Sequence, residues 1–459
     1  MCHPARSSAK ALPRTCTATG GSVGLTELIG AAGSIMKIAI VGAGWAGCAA
    51  AVEATRKGHH VTVFEAARIP GGRARRVPAA SSQLPLDNGQ HILIGAYTDT
   101  LRLMTDVGVD PATALLRLPL TLQGPDGRGL KLPRCPAPLD AVLGIVLAEG
   151  WSWADKLALL WVATRWQLAG FTCPPQQTVA ALCRTLPPRV MANLIEPLCV
   201  SALNTPASRA SGQVFLRVLK DSMFATSGGS NLLLPRVDLS ALMPDAALTW
   251  LQQRGGAVQL GARVQNLRSQ GGSWQVTAGD TLAFDHVVLA CPPTEAARLV
   301  AGSAVAAEGW LKTTQALQFE AITTVYAQAP RAQLPQPMLA LPSSASAPAQ
   351  FVFDRGQLGG PAGLLAFVVS ASEGNSALLT AQVLAQARHQ LGVACGCVAL
   401  QSVQTIVEKR ATFACTTALL RPGAVIAPGL SACGDYVDGP YPATLEGAVR
   451  SGLAAARRL

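Results

Sequence analysis

The chain has 459 residues, with 49% hydrophobic and only 14% charged side chains, and its formal net charge at pH 7 is +11. This length exceeds one ordinary hydrophobic core, so two domains or one inserted domain are expected. No uncharged apolar run reaches the roughly 18 residues of a membrane-spanning helix. Arginines are spread along the chain with few aromatic residues beside them, which excludes nucleic acid as the expected partner. Two interpretations of the positive charge stay open: a solvated basic surface, or attraction to an anionic membrane surface.

Cysteine usage and the first residues bear on the location of the protein. The twelve cysteines form no CxxC pair or zinc spacing, and the six histidines show no metal spacing, so no metal site is predicted. Reduced thiols in a cytoplasmic protein are expected, with a peripheral position on the inner face of the cell membrane as the open alternative. Residues 1–35 lack the apolar core of a signal peptide. We interpret them as a disordered leader, or as sequence preceding a true start at Met36.

The first predicted unit is a strand, a glycine-rich loop, a helix and a second strand. Lys37–Val41 is strand-like, Cys48–Arg56 is Ala-rich and helical, and His60–Phe64 is a second strand closed by Glu65. The loop Gly42-Ala-Gly-Trp-Ala-Gly47 would allow a tight turn, close approach of a pyrophosphate and close helix–strand packing. An acid at the end of the second strand can accept hydrogen bonds from a ribose diol. The predicted dinucleotide contacts are Gly42, Gly44, Trp45, Ala46, Gly47 and Glu65.

A second glycine motif, Gly71-Gly72-Arg73, resembles one found in the flavin-containing amine oxidase and phytoene desaturase superfamily. In that superfamily the motif lies against FAD, so the resemblance implies FAD rather than NAD. No cysteine falls at the covalent attachment site of some amine oxidases, so noncovalent binding is expected. The segment Asp87–His91 resembles the stretch beside the flavin ring, with a plain turn before a strand at Ile92–Ile94 as the alternative. The resemblance implies FAD contacts at Gly72, Arg73, Gly89, Gln90 and His91.

The middle of the chain is rich in apolar helical segments. Thr98–Val107 is a predicted helix, and Gly124-Pro-Asp-Gly127 is a hairpin signal within strand-like segments over Leu118–Leu132. The predicted apolar helices that follow are Leu139–Leu147, Trp153–Leu168, Val179–Cys183 and Arg189–Leu194. We interpret them as part of an inserted substrate domain that suits a long hydrocarbon or its entry from a bilayer, with ordinary helix packing as the alternative.

The second half resembles the same superfamily in the order of its elements. A predicted helix over Asp245–Arg254 precedes strands at Ala257–Leu260, Ala262–Leu267, Trp274–Thr277 and Asp285–Ala290. In the superfamily the position of Val264 contacts adenine through its backbone, so the resemblance implies this contact here. Further predicted strands, the floor of a substrate cavity, are Ala321–Tyr326, Met338–Leu341, Phe351–Asp354 and Leu364–Val369. Lys312 does not resemble the catalytic-site lysine of amine oxidases, which argues against amine oxidation.

The C-terminal stretch GDYVDGPYPATLEGA, residues 434–448, resembles the superfamily's closing motif. It follows a predicted strand at Leu430–Ala432 and leads into a predicted C-terminal helix. The resemblance places Asp435 against the ribityl or pyrophosphate part of FAD. It also places a helix N-terminus against the flavin pyrimidine, where the helix dipole would stabilise the negative charge of reduced flavin. The implied contacts are Gly434, Asp435, Ala443, Thr444 and Leu445.

The predicted fold is α/β, a Rossmann-like FAD-binding domain of amine oxidase and phytoene desaturase type with an inserted α+β substrate domain. The FAD-binding parts are predicted at 36–100, 236–295 and 401–459. The substrate-domain parts are predicted at 101–235 and 296–400.

Within the superfamily, the chain looks most like the squalene-associated FAD-dependent enzymes, the hydroxysqualene dehydroxylases of bacterial hopanoid pathways. The likeness rests on MKIAIVGAGWAGCAAA, LDNGQHILIGAY and GDYVDGPYPATLEGAVRSG. It implies reduction of hydroxysqualene to squalene with loss of water, a long-chain isoprenoid substrate, and squalene-pathway enzymes as partners. His91, Tyr441 and Asp438 are the candidate catalytic residues, each of which can equally be a flavin or loop contact. The alternatives are a carotenoid-type desaturase, an amine oxidase, or a nonenzymatic prenyl-binding escort protein.

Overall fold

The structure, a computed structural model, describes residues 34–78, 85–225 and 227–459. The predictions of a leader and of an alternative start concern residues that lie almost entirely outside these ranges. The helices are α1 (Trp45–Arg56), α2 (Thr98–Asp106), α3 (Pro111–Ala114), α4 (Leu139–Leu147), α5 (Trp153–Leu168), α6 (Val179–Leu182), α7 (Pro188–Val190), α8 (Glu196–Leu203), α9 (Gly212–Lys220), α10 (Leu239–Leu242), α11 (Pro244–Gln252), α12 (Pro293–Gly302), α13 (Glu308–Gln315), α14 (Ser376–Gln390) and α15 (Leu445–Arg457). The segments Met191–Ile195 and Asp221–Ala225 are π-helical turns.

The strands fall into several sheets. They are β1 (Lys37–Val41), β2 (His60–Glu65), β3 (Arg76–Pro78), β4 (Pro85–Asp87), β5 (Leu93–Ile94), β6 (Leu115–Leu118), β7 (Thr121–Gln123), β8 (Gly129–Lys131), β9 (Leu232–Pro235), β10 (Ala257–Leu260), β11 (Asn266–Gln270), β12 (Ser273–Ala278), β13 (Asp280–Phe284), β14 (His286–Leu289), β15 (Phe319–Gln328), β16 (Met338–Ala340), β17 (Phe351–Asp354), β18 (Leu364–Ser370), β19 (Gln401–Phe413), β20 (Val425–Ala427) and β21 (Leu430–Ala432).

The first domain is organised on a six-stranded sheet of order β10-β2-β1-β14-β21-β20. Its strands pair in parallel except for β20, which runs antiparallel to β21 at the edge. Residues 38–41 of β1 are all buried, as is usual for a strand of a parallel sheet that is covered on both faces. The predicted Rossmann-like α/β fold is therefore confirmed.

Helices α1 and α15 pack against one another on this sheet. Nine of the twelve residues of α1 are buried, and most of them are Ala or Gly. A Cβ atom added to Gly452 of α15 would lie 2.1 Å from the carbonyl oxygen of Ala46. The small residues therefore let the two helix backbones approach closely, and this contact ties the C-terminal helix to the first glycine loop.

The second domain contains an antiparallel sheet of order β16-β17-β18-β15-β19. Every residue of β18 is buried, because successive side chains face two different hydrophobic clusters. Phe367 packs in the cluster that includes Val383 of α14, whereas Ala366 and Val368 pack in the largest cluster of the chain. The four strands predicted in this region are confirmed within a few residues of their ends.

Two sequence-based assignments differ from the structure, and several elements, among them α12, α14 and β19, were not predicted. Residues 262–265 were predicted as strand, but the strand begins only at Asn266, because Ala262 N–H donates to the Glu65 carbonyl and the chain then crosses to the β11–β12 hairpin. The predicted helix Arg189–Leu194 is α7 followed by a π-helical turn. Strand β19 was not predicted, and it pairs with β15. The domain boundaries stay a prediction, and β19 lies in the same sheet as β15.

Candidate functional site

The first glycine loop leaves no space for side chains at two of its positions. Gly42 has φ +114°, and a Cβ atom there would lie 2.6 Å from the Ala290 carbonyl oxygen at the end of β14. A Cβ atom at Gly47 would lie 1.9 Å from the Gly42 carbonyl oxygen. Backbone atoms cannot move aside as a flexible side chain can, so both positions require glycine. The loop is thereby held tightly between β1 and the first turn of α1.

The second glycine motif lies directly against the first. Gly71 N–H donates to the Ala43 carbonyl oxygen at 2.8 Å, and Gly44 and Gly71 form a parallel bridge. Gly72 has φ +63°, and its added Cβ would approach the Gly44 Cα to 3.2 Å. No side chain caps the N-terminus of α1 at Gly44. Free N–H groups and a partial positive charge therefore lie beside Gly44 and Gly72, neither of which carries a side chain, and this arrangement suits the pyrophosphate of a dinucleotide.

The acid at the end of β2 is held by backbone groups. Glu65 Oε2 accepts from Ala43 N–H at 2.7 Å, and its Oε1 accepts from Ala67 N–H at 2.8 Å. An ionised carboxylate offers about four acceptor positions, so half of them are left for a diol. At the predicted adenine position, the Val264 carbonyl accepts from Arg298 Nη2 at 2.9 Å. Sequence reasoning missed this arginine, which also pairs with Glu295.

An ion pair joins the second glycine motif to the closing motif. Arg73 Nη2 lies 2.5 Å from Asp435 Oδ1, and Arg73 Nη1 donates to the Ala411 carbonyl oxygen at 2.7 Å. Asp435 is buried, and Gly434 before it has φ +152° with the Tyr436 ring against it. Because Arg73 is half-buried, solvent screens this ion pair less than it screens an ion pair on the surface. Two motifs that are 362 residues apart in sequence thus form one wall.

Helix α15 begins where the closing motif predicts. Thr444 is its N-cap, and the threonine Oγ1 accepts from Gly447 N–H at 3.0 Å. Ala443 and Leu445, on either side, are half-buried. A second arginine that sequence reasoning missed, Arg421, donates to the carbonyl oxygens of Asp435, Tyr441 and Gly439. This arginine holds the loop between β21 and α15 in place.

A buried polar cluster connects residues 87–90 to the second domain. Asp87 is 3% exposed, and its Oδ1 accepts from Leu239 N–H at 2.9 Å. Arg355, just after β17, has Nη2 3.6 Å from Asp87 Oδ2 and donates through Nη1 to Gln90 Oε1 at 3.2 Å. Burial is the largest effect on this carboxyl and raises the pKa of Asp87 to about 6. Sequence reasoning missed Arg355, whose only signal is a charge at the end of an apolar strand.

His91 lies beside Gly89 and is half-buried. Its Nδ1 is 3.4 Å from the Gly89 carbonyl oxygen. Burial lowers the pKa of His91 to about 4, and the positive charge of Arg73 acts in the same direction. The imidazole is therefore neutral at pH 7. Nearby, the buried Thr324 Oγ1 has no hydrogen-bond partner among the described residues, and it lies 3.7 Å from the Cβ position of Gly89.

The other two candidate catalytic residues have different surroundings. Tyr441 OH donates to Asp221 Oδ2 at 2.9 Å and accepts from Arg450 Nη1 at 2.9 Å. Burial and the hydrogen bond to Asp221 raise the pKa of the Tyr441 phenol. Asp438 is exposed on the loop before α15. Within the described ranges, no hydrogen bond joins His91, Tyr441 and Asp438 to one another.

The helical part of the second domain encloses an apolar cavity. It lies between α4, α5, β8, α9 and both π-helical turns. Its lining residues are Leu130, Leu132, Ala141, Ile145, Leu159, Ala163, Trp166, Phe171, Leu194, Ile195, Leu198, Phe215, Leu219, Met223 and Phe224. All fifteen are apolar, so the cavity suits a hydrocarbon and offers a charged ligand no counter-charge.

Comparison with known proteins gives whole-length relatives. The chain is 29% identical to the hydroxysqualene dehydroxylase of Rhodopseudomonas palustris over 91% of its length and 96% of that protein. It is 36% identical to the zeta-carotene desaturase of Zea mays over 17% of its length and 14% of that protein. Among solved structures, an oxidoreductase from Methanosarcina mazei superimposes with a TM-score of 0.70 at 16% identity, covering 92% of this chain and 100% of that one.

These similarities agree with the geometry of the glycine loops. The uncapped helix N-terminus and the adjoining glycines Gly44 and Gly72 fit the diphosphate of a flavin nucleotide. The ion pair between Arg73 and Asp435 closes the site from the C-terminal side. Residues 45–459 match the family described as flavin containing amine oxidoreductase. The chain belongs to this family and is a flavin-dependent oxidoreductase.

Proposed function

We propose that the protein is an FAD-dependent enzyme of isoprenoid metabolism that reduces hydroxysqualene to squalene with loss of water. The observation that carries this proposal is the whole-length similarity to a hydroxysqualene dehydroxylase, set against a desaturase similarity of only 78 residues. The apolar cavity supports a long hydrocarbon substrate. A position at the cytoplasmic face of the membrane and contact with squalene-pathway enzymes are proposed as well, and neither is needed for the reaction itself.

FAD is proposed to bind noncovalently along the loops described above. The proposed contacts are Gly42, Gly44, Trp45, Ala46, Gly47, Glu65, Gly72, Arg73, Gly89, Gln90, His91, Val264, Gly434, Asp435, Ala443, Thr444 and Leu445. The N-terminus of α1 would hold the diphosphate, and the free acceptor positions of Glu65 would hold the ribose. Arg73 would orient Asp435 toward the cofactor. When bound and reduced, the flavin supplies the hydride.

For this reaction the protein must hold the hydrocarbon chain, exclude water and supply one proton. The C–O bond of the allylic alcohol breaks, a hydride adds to that carbon, and the hydroxyl leaves with a proton as water. The apolar cavity would hold the hydrocarbon chain and exclude water, which prevents capture of a cationic carbon. A protein group would supply the proton to the departing oxygen.

The three catalytic candidates differ in how well they fit this proton transfer. The neutral His91 carries no spare proton at pH 7, so its proposed role is to orient neighbouring groups. Tyr441 keeps its proton at pH 7, and two arginines are within reach to stabilise a phenolate. Asp438 is exposed on the loop before α15, away from the dehydrated surroundings that proton transfer to the substrate needs, which favours it least. We therefore propose Tyr441 as the first residue to test.

The test is anaerobic turnover. Protein loaded with reduced FAD and mixed with hydroxysqualene is expected to release squalene, and Tyr441→Phe is expected to slow this step at least about a hundredfold. Arg217→Lys keeps a cation beside Tyr441 and is expected to slow the step less than Tyr441→Phe does. Turnover of phytoene without any formation of squalene would favour the carotenoid-type desaturase. Purified protein that binds no flavin would favour the prenyl-binding escort.

The amine oxidase alternative has the least support. Lys312 is exposed on α13, which agrees with its unfamiliar sequence context. The apolar cavity offers no carboxylate to an ammonium group. Release of hydrogen peroxide when the protein is incubated with long-chain amines would favour this alternative.

A further inference from the structure

Helices α4 and α5 carry an unusual share of the exposed apolar side chains. Eight of the eighteen large apolar residues that are exposed in the described part of the chain lie on these two helices. They are Leu139, Val142, Leu143, Leu147, Trp153, Leu157, Trp161 and Leu168. The last four are spaced by four, four and seven residues, so they lie on one face of α5. We call these eight residues the outer face.

The opposite side of the same two helices lines the apolar cavity. Ala141 and Ile145 of α4 contribute to its wall, as do Leu159, Ala163 and Trp166 of α5. The two helices are consecutive in sequence and in contact with each other. They therefore form a layer, one helix thick, between the hydrocarbon-binding cavity and the exterior, with apolar residues on both sides.

The charges around the outer face favour an anionic partner. Residues 131–189 contain six basic and three acidic residues, and two of the acids, Asp140 and Asp155, are buried. Two cations stack on the exposed tryptophans: Lys156 Nζ lies 5.1 Å from the centre of the Trp153 ring, and the Arg165 guanidinium lies 4.6 Å from the centre of the Trp161 ring. Tryptophan beside lysine or arginine is typical of residues at the boundary between lipid headgroups and acyl chains.

We propose that the outer face docks into one leaflet of an anionic lipid bilayer, with α4 and α5 lying in the headgroup region. Within the described ranges, no helix is long and apolar enough to cross a membrane, which agrees with an interfacial position. A hydrocarbon would then pass from the leaflet to the cavity across this layer of two helices. The passage of substrate rests on the proposed function, whereas the docking itself does not.

The test uses flavin-loaded full-length protein and vesicles of phosphatidylcholine with or without phosphatidylglycerol. The wild-type protein is expected to sediment with the anionic vesicles, and Trp153→Ser with Trp161→Ser is expected to weaken this binding at least about tenfold. Leu378→Ser with Val393→Ser is the matched control, because it removes two exposed apolar side chains elsewhere and should bind as the wild type does. Equal binding by both double variants, or no binding by the wild type, would overturn the proposal.

Fluorescence separates insertion from mere adsorption. Brominated acyl chains are expected to quench tryptophan emission in the wild type, and Trp153→Phe with Trp161→Phe should abolish the quenching while vesicle binding persists. If the outer face instead mediates self-association, the serine double variant will change the oligomeric state without lipid, and the proposal is wrong. A protein that docks as described but forms no squalene would overturn the proposed function and leave this inference intact.

Discussion

The glycine-loop region and the helical cavity region specify their structures in different ways. At Gly42 and Gly47, backbone atoms lie so close that one added carbon cannot fit. Around the cavity, fifteen apolar side chains of several types share the enclosure. The first region depends on single positions, whereas the second depends on total volume and apolarity, which many sequences can supply. Sequence motifs therefore predict the structure of the first region well, but they predict little of the second.

The largest expected effect is from Gly42→Val. The new side chain would meet the Ala290 carbonyl at a residue with φ +114°, so we expect at least about 3 kcal/mol of destabilisation and loss of bound flavin. Gly58→Val is the control: its φ is +88°, but no atom lies within 4 Å of its added Cβ. Thermal unfolding followed by circular dichroism measures both variants. Equal losses would mean that backbone strain alone, and not the close contact, makes Gly42 necessary.

Asp87 connects the two domains and gives a pH-dependent test. Because the folded-state pKa of this acid is raised from 3.8 to about 6, the folded chain binds the proton more tightly. Stability relative to Asp87→Asn should fall by about 2–3 kcal/mol as the pH rises from about 4 to 6 and should then stay constant. The pKa values of His91 and His286 are lowered to about 4, so these two residues make the folded state more stable as the pH rises, which is the opposite effect. Both histidines are present in the wild type and in Asp87→Asn, so the quantity to measure is the difference in unfolding free energy between these two proteins. A constant difference in unfolding free energy across this range would contradict the burial argument.

Gly44→Ala tests whether glycine is needed at this position for the fold of the protein or for the binding of the cofactor. The added Cβ would have ordinary contact with Gly72 Cα at 3.8 Å, so the flavin-free protein should melt at the wild-type temperature. If the diphosphate approaches Gly44, the methyl group should weaken FAD binding at least about tenfold. Titration of flavin-free protein with FAD measures this. Unchanged FAD affinity would place the diphosphate elsewhere.

The smallest expected effect is from filling the cavity. Ala163→Phe adds a ring to the cavity wall and should lower kcat/KM for hydroxysqualene about tenfold without loss of flavin. Ala154→Phe on the exposed side of the same helix is its matched control. If both variants have the same kcat/KM, the substrate binds outside this cavity.

The sequence predicted most of the first domain because its signals are local. The run Lys37–Val41, the glycines after it and the acid Glu65 each need only neighbouring residues to be recognised. Strand β19 was not predicted because it carries Glu408, Lys409 and Arg410 and is largely unburied, so its sequence does not resemble that of a core strand. The contact of Arg355 with Asp87 and Gln90 could not be predicted for another reason. These residues are some 265 positions apart in the sequence and come together only through tertiary packing. The π-helical turn at Met191–Ile195 has no pattern that distinguishes it from an ordinary helix.

Anaerobic single turnover measures the proposed reduction of hydroxysqualene in one experiment. Enzyme whose FAD has been reduced is mixed with hydroxysqualene, and the visible band of oxidised flavin is recorded while squalene is quantified. If the reduced flavin supplies the hydride, the band returns as one squalene forms per flavin. A flavin that stays reduced, with hydroxysqualene recovered unchanged, would contradict it.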